Sequence, residues 1–141
     1  MSKEDKEDMG VIAKSDHELK LYYHPGNRIA KQSIAVAEAS KAKKVLVNLA
    51  EENLTETQWG ELSRLLDKDP TELIDTSHPF IKETLSKNPD LNPNQAVKIL
   101  KMNPEVLKHP IAMRGDKVIQ VKGINDIMHL QEADSKDAKL P

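Results

Sequence analysis

Apolar and polar positions alternate from Leu19 to Tyr23. They then recur at three- and four-residue spacing through Ile29, Ser33, Ile34, Val36 and Ala37, and cluster from Val45 to Leu49, interrupted by Asn48. The first pattern predicts a short strand, the second a helix and the third a β-rich strand of the buried kind. Pro25, Gly26 and Asn27 stand at the first change of period. The strand therefore passes into the helix through a tight loop, with Asn27 or Gly26 as the cap. Ala30, Ala35, Ala37, Ala39 and Ala42 supply small side chains that let this helix lie close on a sheet. A right-handed crossover makes the two flanking strands parallel.

The next sixty residues change to helical periodicity. Trp59, Leu62, Leu65 and Leu66 share one face, behind a cap at Thr55 or Thr57 that Gln58 and Glu61 follow at capping-box spacing; Asp69-Pro70 ends that helix. TELIDTSHPFIKETLS reads as two short helical turns, with Ser77 as cap and Pro79 at the first helical position. After the breaker cluster NPDLNP comes an amphipathic helix with Ala96, Val97, Leu100 and Met102 as core positions. Pro104 stops it, and Val106 and Leu107 follow in a short turn. Ile111–Arg114 and Lys117–Val121 then read as two strands joined by the tight turn Gly115-Asp116. Gly123 opens a last helix whose apolar face is Ile124, Ile127, Met128 and Leu130. The charged, weakly patterned residues 1–16 and the polar residues 132–141 predict flexible tails around a domain of residues 17–131.

Composition narrows the chemistry. The 141 residues include no cysteine, which removes disulfides, thiolate metal sites and thiol catalysis at once. The five histidines (His17, His24, His78, His109 and His129) form no HxH or HxxxH pair, so no local metal site is predicted. With only Tyr22, Tyr23, Trp59 and Phe80 aromatic, the core is aliphatic. A net charge of −2 gives no bulk reason for nucleic-acid or membrane binding. No apolar run approaches the length of a bilayer span, and MSKEDKEDMG has no apolar signal core, so a cytoplasmic protein is expected.

The order β-α-β, helical middle, β-β-α is the thioredoxin pattern. In detail the chain resembles the arsenate reductase/Spx family over about residues 19–131. LYYHPGN resembles the strand and loop that carry the family's nucleophile. LTETQWGELSRLL with DPTELIDT resembles its helical insertion, LKHPIAMRGDKVI its proline-led strand and hairpin, and GINDIMHL its closing helix. The fold implied is α/β and thioredoxin-like (β-α-β … β-β-α), with a helical insertion and a mixed four-stranded sheet. The resemblance also implies a cis proline at Pro110. An X-Pro bond is the only common place for a cis peptide, and the sequence leaves the isomer open.

The departures from the family pattern bear on function. Asn27 occupies the position of the nucleophilic cysteine, and Ala30 that of the second cysteine of redox members. Asp75, His109 and Lys122 match the three arginines that surround the oxyanion in arsenate reductases. An amide cannot attack arsenic, and a carboxylate repels an oxyanion. The expected function is therefore a non-catalytic arsenate reductase/Spx-like protein, a binding or regulatory module without thiol redox activity. The resemblance to Spx implies the C-terminal domain of the RNA polymerase α subunit as partner; separately, no cofactor other than glutathione and no direct nucleic-acid contact are expected. The alternative is an enzyme that binds glutathione or a small oxyanion in a cleft formed by Asn27, Arg28, Lys31, His109, Pro110 and Lys122. A stress-induced or structural protein without a ligand is the third reading. Each candidate also has a plain structural role: Asn27 as helix cap, Arg28 and Lys31 as a solvated helix face, His109 as a polar strand start. His24 has no nucleophile near it in sequence to serve as a general base. Trp59 anchors either a partner or, with Leu62 and Leu66, the core.

Overall fold

A computed structural model describes residues 18–39, 43–115, 117–123, 125–128 and 130. The two expected tails, residues 1–16 and 132–141, lie outside these. The described residues divide into two compact units, Leu49–Lys108 and residues 18–48 with 109–130.

The second of these units is built on a mixed four-stranded sheet whose strands, side by side, are Lys43–Asn48 (β2), Glu18–Tyr23 (β1), Ile111–Arg114 (β3) and Lys117–Gln120 (β4). Strand β1 (Glu18–Tyr23) is central. It runs parallel to β2 (Lys43–Asn48), with Leu21 level with Leu46, and antiparallel to β3 (Ile111–Arg114), with Leu21 level with Ala112. Strand β4 (Lys117–Gln120) pairs antiparallel with β3, Arg114 against Lys117. The two-residue connection between them matches the predicted hairpin. Gly115 has φ 61°, the left-handed region that a residue without Cβ enters at little cost.

Because side chains alternate across a strand, Leu19, Leu21 and Tyr23 share one face. They pack with Leu46, Ala112, Ile119 and Val121 of the sheet and with Ala37, Ile127 and Leu130 of the helical segments. Helix α1 (Ala30–Glu38) meets the sheet through Ala30, Ser33 and Ala37, which are fully buried, whereas Ile29, Ile34 and Val36 are half-buried at its margins. The small residues thus form the buried stripe, and the larger apolar residues flank it. Ser33 is tolerated there because its hydroxyl donates to the Ile29 carbonyl at 2.8 Å. Residues 125–128 and 130 are helical, with Ile127 and Leu130 buried.

Two expectations in this unit are corrected. Strand β2 is half-buried along most of its length, not a buried strand, because it stands at one end of the sheet order and pairs on one side within the sheet. Met128 is 42% exposed, since its neighbour Ile127 takes the inward direction on that turn; Ile124 lies outside the described residues.

The unit Leu49–Lys108 is helical. Helix α2 (Glu56–Leu65) starts at a complete capping box, Thr55 with Gln58. Trp59 and Leu62 are fully buried, while Leu65 and Leu66 are half-buried. Trp59 is therefore a core residue. Its indole N–H donates to Asn53 Oδ1 at 3.3 Å, and Asn53 Nδ2 donates to the carbonyls of Leu100 and Lys101, tying the entry of α2 to the end of the helix Pro93–Met102. A 3-10 turn, Pro70–Leu73, leads to α3 (Pro79–Lys87) and then α4 (Pro93–Met102), which begins at the capping box Asn92/Gln95. A second 3-10 turn, Pro104–Val106, buries Val106, and Leu107 pairs with Ile74 across an isolated bridge.

Two further corrections belong here. Met102 is 74% exposed, because Ala96 and Leu100, four apart, define the buried face of α4 and Met102 lies away from it. The cap of α3 is His78, not Ser77: Ser77 is drawn back by its N–H and hydroxyl to Asp75 Oδ1, at 2.9 and 2.6 Å.

Candidate functional site

The loop between β1 and α1 is held by its own hydrogen bonds. The His24 carbonyl accepts from Asn27 N–H at 2.9 Å, and His24 Nδ1 accepts from Gly26 N–H at 3.0 Å. A Cβ at Gly26 would stand 3.1 Å from Nδ1, so a larger residue there would push the ring aside by a few tenths of an ångström. Asn27 Oδ1 accepts from Ile29 N–H at 2.8 Å, and the Asn27 carbonyl accepts from Ala30 N–H at 3.2 Å. Ile29, the residue just before α1, makes no side-chain cap of its own. Asn27 therefore closes the start of the helix from two residues further upstream, as an Asx turn does. The expectation of a cap at Asn27 or Gly26 is corrected: Ile29 holds the N-cap position, and Asn27 bonds within the loop just before it.

This arrangement has chemical consequences. Free N–H groups at a helix start can bind an anion. Here Asn27 itself takes two of the nearest, those of Ile29 and Ala30. The carboxamide offers no nucleophile. Ala30, at the position of a second cysteine, is buried against the sheet. Arg28 and Lys31 are exposed at the helix start.

His109, Pro110 and Lys122 belong to the same compact unit as Asn27, Arg28 and Lys31. Val121 N–H donates to the Pro110 carbonyl at 2.7 Å, which extends the β3–β4 register by one place. The β1–β3 pairing ends at Tyr22 and Ile111 and the β3–β4 pairing at Ile111 and Gln120, so His24, His109 and Lys122 lie just beyond the paired residues at that end of the sheet. His109 is half-buried and Lys122 exposed. No cis peptide occurs among the described residues, so the His109–Pro110 bond is trans, in contrast to what the family resemblance implies.

Two carboxylates complete the picture, and one of them was not anticipated. Asp126 Oδ2 accepts from the backbone N–H of Lys122 at 2.8 Å and of Gly123 at 3.3 Å. It reaches back three residues to the helix start as the second half of a capping box, a signal present in the spacing Gly123-x-x-Asp126. A negative group therefore sits against the backbone of one candidate cation. Asp75 lies in the other compact unit. The Ser77 hydroxyl holds its carboxyl below the usual carboxylate range; the Ser77 N–H, His78 and Lys108 add to this, and partial burial opposes it. Where the resemblance implies an arginine, the chain carries an ionised acid tied into its own turn. Among the described residues no three His, Asp or Glu side chains gather as a metal site, and no helix is long and apolar enough to cross a membrane.

No family model and no curated protein matches the sequence. Solved structures do. An arsenate reductase from Vibrio cholerae superposes with a TM-score of 0.72 at 11% identity, over 82% of this chain and 99% of that one. A Yersinia pestis protein described as an arsenate reductase gives 0.70 at 18% identity, over 79% and 98%. A possible arsenate reductase from Streptococcus mutans gives 0.62 at 13% identity, over 78% and 97%. Identities this low carry the fold and not the chemistry. The chain shares the thioredoxin-like α/β fold of these solved structures, several of them described as arsenate reductases, and carries no cysteine anywhere in its 141 residues.

Proposed function

We propose that the protein is a non-catalytic arsenate reductase/Spx-like protein that works by binding, as a regulatory or interaction module in the cytoplasm. One observation carries this reading. The position that the family resemblance gives to the nucleophile holds Asn27, whose side-chain oxygen is engaged by Ile29 N–H, and no thiol exists elsewhere in the sequence to replace it. Arsenate reduction by this family's route requires a thiolate that bonds to arsenic and is later released by a second thiol. The partner proposed from the resemblance to Spx is the C-terminal domain of the RNA polymerase α subunit. Binding of this kind needs no redox switch, since the two cysteine positions hold Asn27 and Ala30.

The purified chain, supplied with arsenate and either glutathione or a thioredoxin system, is expected to show no turnover above the protein-free rate. Arsenate or disulfide reduction at ordinary enzymatic speed would overturn the non-catalytic reading. Titration calorimetry against the isolated α C-terminal domain tests the partner separately, and absence of binding there removes the partner while leaving the first point standing.

The exposed cations Arg28 and Lys31 at the start of α1, in the same compact unit as His109 and Lys122, favour a second reading, a site for glutathione or a small oxyanion. Binding of either ligand that weakens in Asn27→Ala and His109→Ala would support it. Binding that survives both changes removes this end of the sheet from consideration.

A further inference from the structure

Three histidines in this chain precede proline: His24-Pro25, His78-Pro79 and His109-Pro110. In the first two the imidazole does the same thing. His24 Nδ1 accepts from Gly26 N–H at 3.0 Å, and His78 Nδ1 accepts from Phe80 N–H at 3.2 Å. The physical reason is common to both. Proline has no N–H, so the amide two residues past the histidine is the first that can donate. The ring nitrogen then stands where the oxygen of an Asx turn would.

At His78 this bond is the cap of helix α3. His78 has the extended backbone of an N-cap residue (φ −64°, ψ 135°), and Pro79 fills the first helical position. Helices α2 and α4 are capped by oxygen atoms in reciprocal boxes, Thr55/Gln58 and Asn92/Gln95. Helix α3 has no such box, since Ile81 stands at the position where a reciprocating Glu or Gln would be needed. Its hold on the rest of its unit is also thin, because Ile81 is its one buried residue and Phe80 is 40% exposed.

We propose that His78 makes α3 an acid-labile helix, its cap present while the imidazole is neutral and lost when Nδ1 takes a proton. Histidine is the side chain that ordinarily changes charge between pH 5 and 8. A protonated Nδ1 donates and cannot accept, so Phe80 N–H loses its partner. The same proton places positive charge against the positive end of the helix dipole. The charged groups around this turn work in both directions. Asp75, whose carbonyl accepts His78 N–H at 3.1 Å, attracts an imidazolium and offers it an alternative partner. Lys82, one turn into α3 and bonded through its N–H to the His78 carbonyl, repels it, and Lys108 on the Asp75 side opposes it as well.

Amide hydrogen exchange on the full chain tests this, with α4 as an internal reference because its Asn92 cap does not titrate. After correction for the intrinsic pH dependence of exchange, protection in α3 is expected to fall about fivefold relative to α4 between pH 7.5 and 5.5, the factor that corresponds to losing one helix cap. His78→Asn keeps an acceptor at the cap and removes the proton, so the variant should hold its α3 protection at both pH values. In the unaltered protein, the Phe80 amide resonance should move with the titration of the His78 ring. Level α3 protection in the wild type, an equal fall in His78→Asn, or a Phe80 amide that ignores His78 would each overturn the proposal.

Discussion

Asn53 shows how one side chain holds two helices. Its amide donates to carbonyls at the end of α4 while its oxygen accepts from the Trp59 indole and, at 2.7 Å, from Leu54 N–H. Replacing it with alanine leaves a fully buried indole N–H without its partner, which costs about 1–3 kcal/mol. Asn53→Ala should lower the denaturant midpoint accordingly and shift Trp59 fluorescence to the red in the native baseline. Asp75 presents a different balance. Its carboxyl is held low mainly by the Ser77 hydroxyl, so it contributes stability above its unfolded pKa that is lost as pH falls through the lower folded value, within the acid range. Solvent exposure keeps this contribution small. Ser77→Ala should raise the Asp75 pKa, read from its carboxyl carbon resonance, and should move the acid limb of the stability profile to higher pH. The sequence shows Ser77 in front of a Pro-led helix, and a serine cap is the ordinary inference. It does not show that Asp75, two residues upstream, competes for both donors of Ser77, or that a histidine ring can fill the vacated cap.

At the scale of elements, periodicity and turn chemistry carried most of the fold. The hairpin was legible because two β-rich runs flank a two-residue Gly-Asp turn. Its residue pairing follows from that loop length. Gly115→Ala forces a Cβ into φ 61° and should destabilise the sheet unit by about 1–2 kcal/mol, measured by chemical denaturation. Helix α1 was legible as a helix, but its inward face was less so. The sequence pattern puts Ile29, Ser33, Ile34, Val36 and Ala37 on one face and Ala30, Ala35, Ala37 and Ala39 among the residues packed on the sheet; the structure buries Ala30, Ser33 and Ala37, half-buries Ile29, Ile34 and Val36, and exposes Ala35 and Ala39. That choice depends on the distance between helix and sheet, which a single sequence does not contain. It gives a sharp expectation: Ala37→Leu, although more hydrophobic, should destabilise by about 1–3 kcal/mol through overpacking, while Ala35→Leu on the exposed face should be near neutral. Strand β2 was misread as buried for a related reason. Val45, Leu46 and Val47 have the composition of a central strand, but position in the sheet order is set by pairing partners distant in sequence.

For the whole molecule, the question is whether the fold retains the physical means of activating a thiol after the thiol itself is absent. The sheet order, the crossover to α1 and the loop that enters it are the parts a thioredoxin-like scaffold uses to set a side chain at a helix start. Asn27→Cys tests these parts directly. A sulfur at this position would face the positive end of α1 with Arg28 and Lys31 nearby, and both features favour a thiolate. Against this, the change removes the oxygen that accepts from Ile29 N–H, at a cost of about 1 kcal/mol to the loop. The released Ile29 N–H then becomes a donor that the thiolate can use. The introduced thiol should therefore titrate below the ordinary value of about 8.5, followed by ultraviolet absorbance of the thiolate against pH. Arsenate turnover should stay absent in the same variant, because Ala30 supplies no second thiol and the chain holds no other. An unshifted thiol would mean that the loop, and not merely the residue at its tip, has departed from the arrangement that activates sulfur. A shifted thiol without turnover would place the loss of chemistry in side chains alone.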